Sequence, residues 1–365
     1  MNLLLVYQRL NGASKTQAEL KKHESQFLNE LEDFVDRINS LTSFQRLGLS
    51  PAQILSFLSL VSRERDWARK DRMRFAGMHK ALFQGAYRRY CETVLSNPAL
   101  YDWSMGWISA ALPMTHLSDK ASLDLANCVI DLLWRSRIKY GEFHLWPTLR
   151  IGHGVLENVD LGVPHGLGGV AAFLGELSKR GSQNSRVEKM LEEILEFYEY
   201  IITEGSSDSL PEFFPPFNRR QSKMGRKAWC YGSLGVGSVL LRLGHELKKP
   251  KVKKLGIRLL DSWVDRRRGT ETFLREASLC HGYSGVSYLY HRAHTLTGDR
   301  RYLKESEYYL AKSISFLEKM PDFYASRKMI MPIYFSKAGA QLAHGTLVKG
   351  LSARWDFLLA QSSPY

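Results

Sequence analysis

A repeated glycine pattern constrains the fold of this 365-residue chain more than any other feature. Three copies of Gly-x-x-Gly-Val, each followed by apolar residues at helical spacing, begin at Gly166, Gly232 and Gly282. The copies start 66 and 50 residues apart, which suits a pair of helices with their loops. Glycines three apart at a helix start let backbones approach closely. The repeat therefore predicts inner helices that begin at glycine and alternate with outer helices.

Most of the remaining chain also has helical spacing of its apolar residues. The clearest predicted helices lie near 26–39, 51–62, 121–136, 187–203, 253–264 and 300–318. Weaker copies of the repeat are predicted at Gly106-Trp-Ile-Ser109 and Gly345-Thr-Leu-Val348, and residues 205–228 predict a long loop. The fold class is all-α. Repeat spacing alone allows either a closed α/α toroid or an open helical solenoid.

Composition is typical of a folded intracellular protein. With 44% apolar and 12% aromatic residues, the chain can bury a sizeable core. No apolar run approaches the roughly 18 residues of a spanning helix, and the first residues lack the features of a signal peptide. Four scattered cysteines indicate thiol or metal chemistry rather than a disulfide scaffold. We expect a cytoplasmic protein whose membrane association, if any, is through partners.

A net charge of +14 predicts an anionic partner. The basic residues fall in short bursts at 63–74, 219–227, 248–254 and 266–268. No DNA-recognition helix, zinc finger or RNA-binding motif accompanies them, so nucleic acid is not expected. A solvated surface is the ordinary explanation of each burst. The burst at 219–227 leads into a cysteine motif, and we expect it to attract an acidic peptide segment.

Polar side chains stand at or near the first glycine of each repeat. They are Asp102, His165, Cys230, the adjacent Cys280 and His281, and His344. If the inner helices all begin at one end of the fold, these side chains form one site. Cys230, Cys280 and His281 are a plausible zinc set, because thiolates and imidazole suit Zn²⁺ and three protein ligands leave a catalytic position open.

Each candidate also has an ordinary structural explanation. Asp102 fits a helix N-cap, His165 could satisfy a buried backbone group, and Arg226 could be a solvated cation. His344 lies in an eroded copy of the repeat and is expected to be structural. A cysteine taken singly is usually a small buried hydrophobe.

Three segments together resemble a known family. Leu161-Gly-Val-Pro-His165-Gly166, Trp229-Cys230-Tyr231-Gly232 and Leu279-Cys280-His281-Gly282 resemble the lanthionine synthetase C-like (LanC) cyclases, with similarity over about residues 95–360. The resemblance implies one α/α-toroid domain over residues 1–365, with about seven inner and seven outer helices. Residues 1–95 match this pattern less well.

The resemblance also implies a function. Such an enzyme uses zinc to add cysteine thiols of a ribosomal precursor peptide to dehydroalanine or dehydrobutyrine, which forms lanthionine and methyllanthionine rings. The family's zinc ligands match Cys230, Cys280 and His281. Its partners would be the dehydrated precursor, with an acidic leader segment, and a complex containing a dehydratase and a transporter.

Four further residues match family active-site positions: His165, Asp102, Arg226 and Tyr231. Imidazole suits proton transfer near neutral pH, and an arginine can stabilise an enolate oxygen. We expect His165 to protonate the enolate that follows thiol addition, with Asp102 orienting it. Tyr231 and a water molecule remain alternative proton donors.

The sequence departs from the family at two points and leaves other functions open. Ser109 replaces the second glycine of the copy near Asp102, and Asp160 stands where the family commonly has asparagine. One alternative is addition of a small thiol such as glutathione to dehydrated residues. Another is a non-catalytic scaffold with structural zinc. A toroidal glycosidase or terpenoid cyclase is disfavoured because paired carboxylates are missing at the repeat starts.

Overall fold

The computed structural model is helical through most of the chain it describes. The described residues are 28–29, 32–33, 35–36, 38–40, 51, 54–55, 58, 69–96, 101–104, 106–112, 120–150, 154–156, 158–180, 184–204, 209–214, 225–267, 274–317, 334–350 and 353–361. Those between 28 and 58 are helical, as the apolar spacing predicted. Among all of these residues, no helix combines the length and hydropathy needed to cross a membrane.

The elements follow each other as helix, loop and helix, with short strands between. The α-helices are α1 (Arg69–Leu82), α2 (Arg88–Leu95), α3 (Trp107–Ala111), α4 (Lys120–Ser136), α5 (Leu167–Lys179), α6 (Ser185–Glu204), α7 (Ser233–Glu246), α8 (Pro250–Asp261), α9 (Tyr283–Thr297), α10 (Arg300–Leu317) and α11 (Lys337–Lys349). A π-helix (Phe83–Tyr87) joins α1 to α2, and a 3-10 helix spans Arg354–Leu359.

Strands are short and form two-stranded antiparallel sheets. The pairs are β1 (Ile138–Tyr140) with β2 (Phe143–Leu145), β3 (Thr148–Arg150) with β4 (Gly154–Leu156), and β5 (Val159–Asp160) with β6 (Phe213–Phe214). In the last sheet Val159 lies opposite Phe214 and Asp160 opposite Phe213. This sheet ties the long predicted loop to the segment that carries His165.

Consecutive helices pack as inner and outer partners. The pairs are α5 with α6, α7 with α8, and α9 with α10, while α5, α7, α9 and α11 contact each other in chain order. Helix α5 is buried from Leu167 to Leu177 and α7 from Ser233 to Gly244. Helix α6 buries one apolar stripe that includes Val187 and Ile194. The alternation of inner and outer helices predicted by the repeat is therefore present.

The second glycine of each repeat is required by a close backbone contact. A Cβ on Gly235 would lie 1.9 Å from the carbonyl oxygen of Trp229, and one on Gly285 would lie 1.9 Å from that of Leu279. The first repeat has the same approach to the carbonyl six residues earlier. The loop before each inner helix thus folds back over its first turn.

The weak copy near Gly106 follows the same plan, but the copy predicted at Gly345 is wrong. The N–H of Ser109 donates to the carbonyl of Asp102 at 3.3 Å, matching the bond from Gly235 back to its own loop. Gly345 lies inside α11, which begins at Lys337. Ser336 caps that helix by accepting from the N–H of Gly339 at 3.3 Å, so a serine cap replaces the first glycine.

Candidate active site

The loops before the inner helices are joined in series by backbone hydrogen bonds. These bonds run from Ser104 N to Pro164 O, from Val163 N to Cys230 O, from Trp229 N to Cys280 O and from Cys280 N to Tyr334 O, at 2.9–3.2 Å. Each loop is therefore fixed to the next one. Side chains that are far apart in sequence are held at one end of the inner helices.

Cys230, Cys280 and His281 converge in this row of loops. One ligand atom from each lies within 4.8 Å of the other two. Both cysteines are buried, whereas the His281 side chain is 35% exposed. Among the described residues, no fourth histidine, cysteine or carboxylate belongs to the group. Cys280 and His281 lie in the turn before α9, as adjacent ligands require.

The two thiols interact with each other. Cys280 donates to Cys230 and so lowers the pKa of Cys230 to about 6, and His281 and Arg226 act in the same direction against burial. The same contact raises the pKa of Cys280 well above its usual value. Cys230 and the carboxylate of Glu276 raise the pKa of His281 to about 9. Of the two thiols, Cys230 is therefore the stronger acid.

Glu276 completes the surroundings of His281. Its Oε1 atom lies 3.1 Å from His281 Nε2 and accepts from the hydroxyl of Ser278 at 2.7 Å. The hydrogen bond from His281 lowers the pKa of Glu276. Because Nε2 is engaged, Nδ1 is the ring nitrogen left for a metal, the arrangement that usually orients metal-binding histidines.

The donor set fits a zinc ion. Zinc binds thiolate sulfur at about 2.3 Å and imidazole nitrogen at about 2.0 Å in a tetrahedron, which places ligand atoms about 3.5–3.8 Å apart. The three atoms already lie within 4.8 Å of one another, so small side-chain rotations bring them to those distances. Two soft thiolates and one imidazole favour zinc over magnesium or calcium.

His165 and Asp102 form a second pair. The Nδ1 atom of His165 lies 3.3 Å from Oδ2 of Asp102, and the His165 side chain is 48% exposed. Loss of water around the ring lowers the pKa of His165, but the charges of Asp102 and Asp160 outweigh it and the pKa is about 9. Asp102 is not the N-cap of α3, because Gly106 holds that position. The carboxylate holds the imidazolium instead.

Asp160 lies buried beneath this pair. Its Oδ1 atom accepts from the N–H of Gly162 at 2.7 Å, and a Cβ on Gly166 would collide with it. Burial raises the pKa of Asp160 to about 7, although the charge of His165 opposes this. Asp160 therefore shapes the turn before α5 and adds negative potential near the imidazole.

Arg226 and Tyr231 lie near Cys230. Arg226 Nε donates to Glu212 Oε1 at 2.7 Å, and its guanidinium carbon lies 5.4 Å from the centre of the Tyr231 ring. Burial raises the pKa of Tyr231, and the charges of Asp160 and Cys230 add to the effect. Tyr231 is consequently a neutral phenol, and Arg226 is held beside the thiol rather than free in solvent.

A family model decides what kind of protein has this site. The model of the lanthionine synthetase C-like proteins matches residues 86–330, which is more than half of the chain. The chain belongs to the lanthionine synthetase C-like family. The matched range includes Asp102, His165, Cys230, Cys280 and His281.

Two relatives extend this comparison. The chain is 25% identical over 171 residues to the nisin biosynthesis protein NisC of Lactococcus lactis subsp. lactis, an alignment that covers 45% of this chain and 40% of NisC. The chain thus spans less than half the length of that curated relative. A solved structure of nisin cyclase matches with a TM-score of 0.72 at 18% identity, over 99% of this chain and 90% of that one.

The nisin cyclase comparison confirms the predicted α/α toroid. Parts of the first helices lie outside the described residues, so the count of seven inner and seven outer helices stays a prediction. Glu276 and Glu212 were not predicted as site residues, because nothing in their sequence surroundings marks them.

The basic burst at 219–227 differs from its prediction at Lys227. This side chain is fully buried, and its Nζ donates to the carbonyl of Trp263 at 2.7 Å and to the hydroxyl of Tyr309 at 2.8 Å. Burial lowers the pKa of Lys227 to about 7, although Glu305 at 3.6 Å opposes this. Lys227 therefore fastens the cysteine loop to the outer helices. Residues 219–223 lie outside the described part of the chain.

Proposed function

We propose that this chain is a zinc-dependent cyclase that forms lanthionine and methyllanthionine rings in a ribosomal peptide. The observation that carries the proposal is the convergence of Cys230, Cys280 and His281, within 4.8 Å, from two separate loops. The family and the fold support the same conclusion. We also propose that the chain forms a single toroidal domain in the cytoplasm.

The reaction is an addition with no leaving group. The sulfur of a peptide cysteine forms a bond to the β-carbon of dehydroalanine or dehydrobutyrine, and the carbon–carbon double bond opens. The thiol loses its proton, and one proton is added at the α-carbon. Cys230, Cys280 and His281 would hold zinc, which lowers the pKa of a bound thiol and so makes a nucleophilic thiolate at neutral pH.

His165 is proposed to supply the proton to the α-carbon. Its pKa of about 9 keeps the ring protonated at neutral pH, and its half-exposed position leaves Nε2 open to a substrate. Asp102 at 3.3 Å fixes the ring orientation through Nδ1. A positioned imidazolium contributes roughly 10²- to 10⁴-fold to such a proton transfer.

Arg226 is proposed to stabilise the enolate oxygen. The salt bridge to Glu212 at 2.7 Å holds its guanidinium beside Tyr231, and the side chain is 35% exposed. The remaining N–H groups can therefore reach a substrate carbonyl. Tyr231, as a neutral phenol, can donate a hydrogen bond to the same oxygen.

The substrate is proposed to be a dehydrated precursor peptide with an acidic leader segment. A cleft of about 750 Å³ between α6 and α8 is lined by Lys251, Lys254, Arg258 and Arg266. All four side chains are exposed; Lys251 and Lys254 come from the burst at 248–254, Arg266 comes from the burst at 266–268, and Arg258 lies between the two bursts. Such a cleft attracts carboxylates through its field. A dehydratase and a transporter are the proposed partners that supply and remove the peptide.

A thiol count tests the reaction. The purified protein, loaded with zinc, is incubated with a dehydrated peptide that contains cysteine, and the remaining thiols are alkylated and counted. We expect thiols to disappear without a change in peptide mass, and Cys280→Ala to abolish the loss. A mass increase with added glutathione would favour the small-thiol alternative, and zinc binding without any thiol loss would favour a scaffold.

A further inference from the structure

Two consecutive carbonyl groups near the end of the described chain accept hydrogen bonds from three side chains that adjoin the candidate site. We call residues 353–361 the C-terminal anchor. The Leu358 carbonyl accepts from the indole N–H of Trp103 at 3.4 Å and from the hydroxyl of Tyr334 at 3.0 Å. The Leu359 carbonyl accepts from the indole N–H of Trp229 at 2.9 Å. All five of these residues are buried.

Each of the three donors adjoins a functional group. Trp103 follows Asp102, and Trp229 precedes Cys230. Tyr334 accepts, through its backbone carbonyl, the N–H of the second thiol ligand at 2.9 Å. The rings of Trp229 and Tyr334 are also stacked, with centroids 4.9 Å apart. The loops that carry the proton-transfer pair and both thiol ligands are thus hydrogen-bonded, through neighbouring residues, to the same two carbonyls.

The anchor itself is fixed to the inner helices. Ser238 of α7 donates to Gln361 Oε1 at 2.6 Å, and Tyr288 of α9 donates to Asp356 Oδ2 at 2.6 Å. Asp356 is fully buried, and Arg292 Nε lies 3.3 Å from its carboxylate. Charged and hydroxyl groups on two helices therefore hold the anchor in place along its length.

We propose that the C-terminal anchor is a positioning element, through which Trp103, Trp229 and Tyr334 set the spacing between the thiol ligands and the His165–Asp102 pair. The inference rests on the function proposed above. The three aromatic residues act through their neighbours and are not catalytic. Each of the two carbonyls has a second donor, which is Gln361 Nε2 at 3.1 Å in the case of Leu359. Removing one donor therefore breaks the hydrogen bond that holds one loop to the anchor, and that loop relaxes. A shift of about 1 Å in a site of this kind costs on the order of 100-fold in rate.

Phenylalanine substitutions test the proposal, because Trp229→Phe and Tyr334→Phe keep a ring and remove only the donor. Trp146→Phe is the matched control, since Trp146 is fully buried and donates to the Leu133 carbonyl at 3.0 Å, outside the anchor. The full chain is titrated with Co²⁺, and the thiolate-to-cobalt absorption is followed. We expect Co²⁺ binding to weaken about tenfold in both anchor variants and to be unchanged in the control.

Steady-state kinetics on the dehydrated peptide provide the second measurement. In both anchor variants we expect kcat to fall about tenfold and KM to stay within twofold of the parent value. Anchor variants that bind Co²⁺ as the parent does would overturn this inference and leave the proposed function intact. Equal weakening in Trp146→Phe would overturn it as well, because the loss would then be general destabilisation. A parent protein without thiolate-to-cobalt absorption would overturn the proposed function itself. If Trp229→Phe does not fold, as judged by thermal unfolding, Tyr334→Phe decides the result.

Discussion

The Oε1 atom of Glu276 lies 3.1 Å from Nε2 of His281, on the side of the ring away from its proposed metal-binding nitrogen. This contact fixes which ring nitrogen carries a proton and makes the other one a better ligand. Glu276 stands four positions before Cys280, so one loop supplies two proposed ligands and the group that orients one of them.

We therefore expect Glu276→Ala to weaken zinc binding about tenfold or more. Competition with a chromogenic chelator measures the dissociation constant directly. Glu276→Gln keeps an acceptor oxygen and should recover much of the affinity. Equal affinity in the parent and the alanine variant would show that Glu276 does not orient the ligand.

The Asp102–His165 pair predicts a pH dependence. The pKa of His165 is raised to about 9, so the folded chain binds this proton more tightly than the unfolded chain does. The resulting stabilisation is complete below about pH 6.5 and is lost as the pH rises through about 9. Cyclisation that needs the imidazolium as an acid should decline over the same alkaline range.

Asp102→Asn removes the charge nearest Nδ1 and should move the His165 titration down toward its ordinary value near 6.5. Histidine ring resonances followed by NMR give the pKa, and a pH–rate profile gives its effect on catalysis. Asp131→Asn, which breaks an exposed pair with Arg186, is the control and should leave the titration unchanged. An unchanged His165 pKa in Asp102→Asn would show that Asp102 does not raise the pKa of His165.

Much of the site could be predicted because the repeat marks the start of each inner helix. Cys230 and Cys280 each stand two residues before the first glycine of their repeat, and His281 directly follows Cys280, so the repeat placed all three in the same row of loops. Glu276 has no such offset. Its contact with His281 depends on how the loop folds back, which three-dimensional packing decides.

The last repeat shows the opposite case, in which the glycine pattern does not mark the start of the helix. Gly345 offered a glycine after a histidine and suggested a helix start, yet it lies inside α11. The true start uses the hydroxyl of Ser336 as its cap. Serine and glycine are both common at the N-cap of a helix, so spacing alone did not distinguish a start at Ser336 from one at Gly345.

The close contact at Gly285 predicts a large stability effect. Gly285→Ala places a Cβ 1.9 Å from the carbonyl oxygen of Leu279, the residue before Cys280, and the backbone must move to relieve this contact. We expect a loss of about 3 kcal/mol in the free energy of unfolding. Urea denaturation measures it.

Gly77→Ala is the matched control for that substitution. Gly77 is exposed on α1, and a Cβ there would meet nothing within 4 Å. Alanine is the better helix former, so the free energy of unfolding should increase by about 0.5–1 kcal/mol. A Gly285→Ala variant as stable as Gly77→Ala would contradict the proposed reason for the repeat.

The basic cleft between α6 and α8 predicts where the proposed acidic leader would bind. Lys251 and Lys254 are exposed on one side of α8. The carboxylate of Asp261 lines the same cleft, but it is engaged by the hydroxyl of Tyr302, which donates to it at 2.8 Å. Lys251→Glu/Lys254→Glu should therefore weaken binding of an acidic peptide about tenfold, because two attractive contacts become repulsive. Fluorescence anisotropy with a labelled acidic peptide measures the affinity.

Salt and a second pair of lysines distinguish this cleft from the general positive charge of the chain. Lys80→Glu/Lys304→Glu makes the same change in net charge at exposed positions on α1 and α10, outside the cleft. Non-specific attraction would be reduced equally by both double variants. A specific cleft is expected to lose affinity only in the first, and that loss should shrink as ionic strength rises, since screening weakens exposed charge pairs.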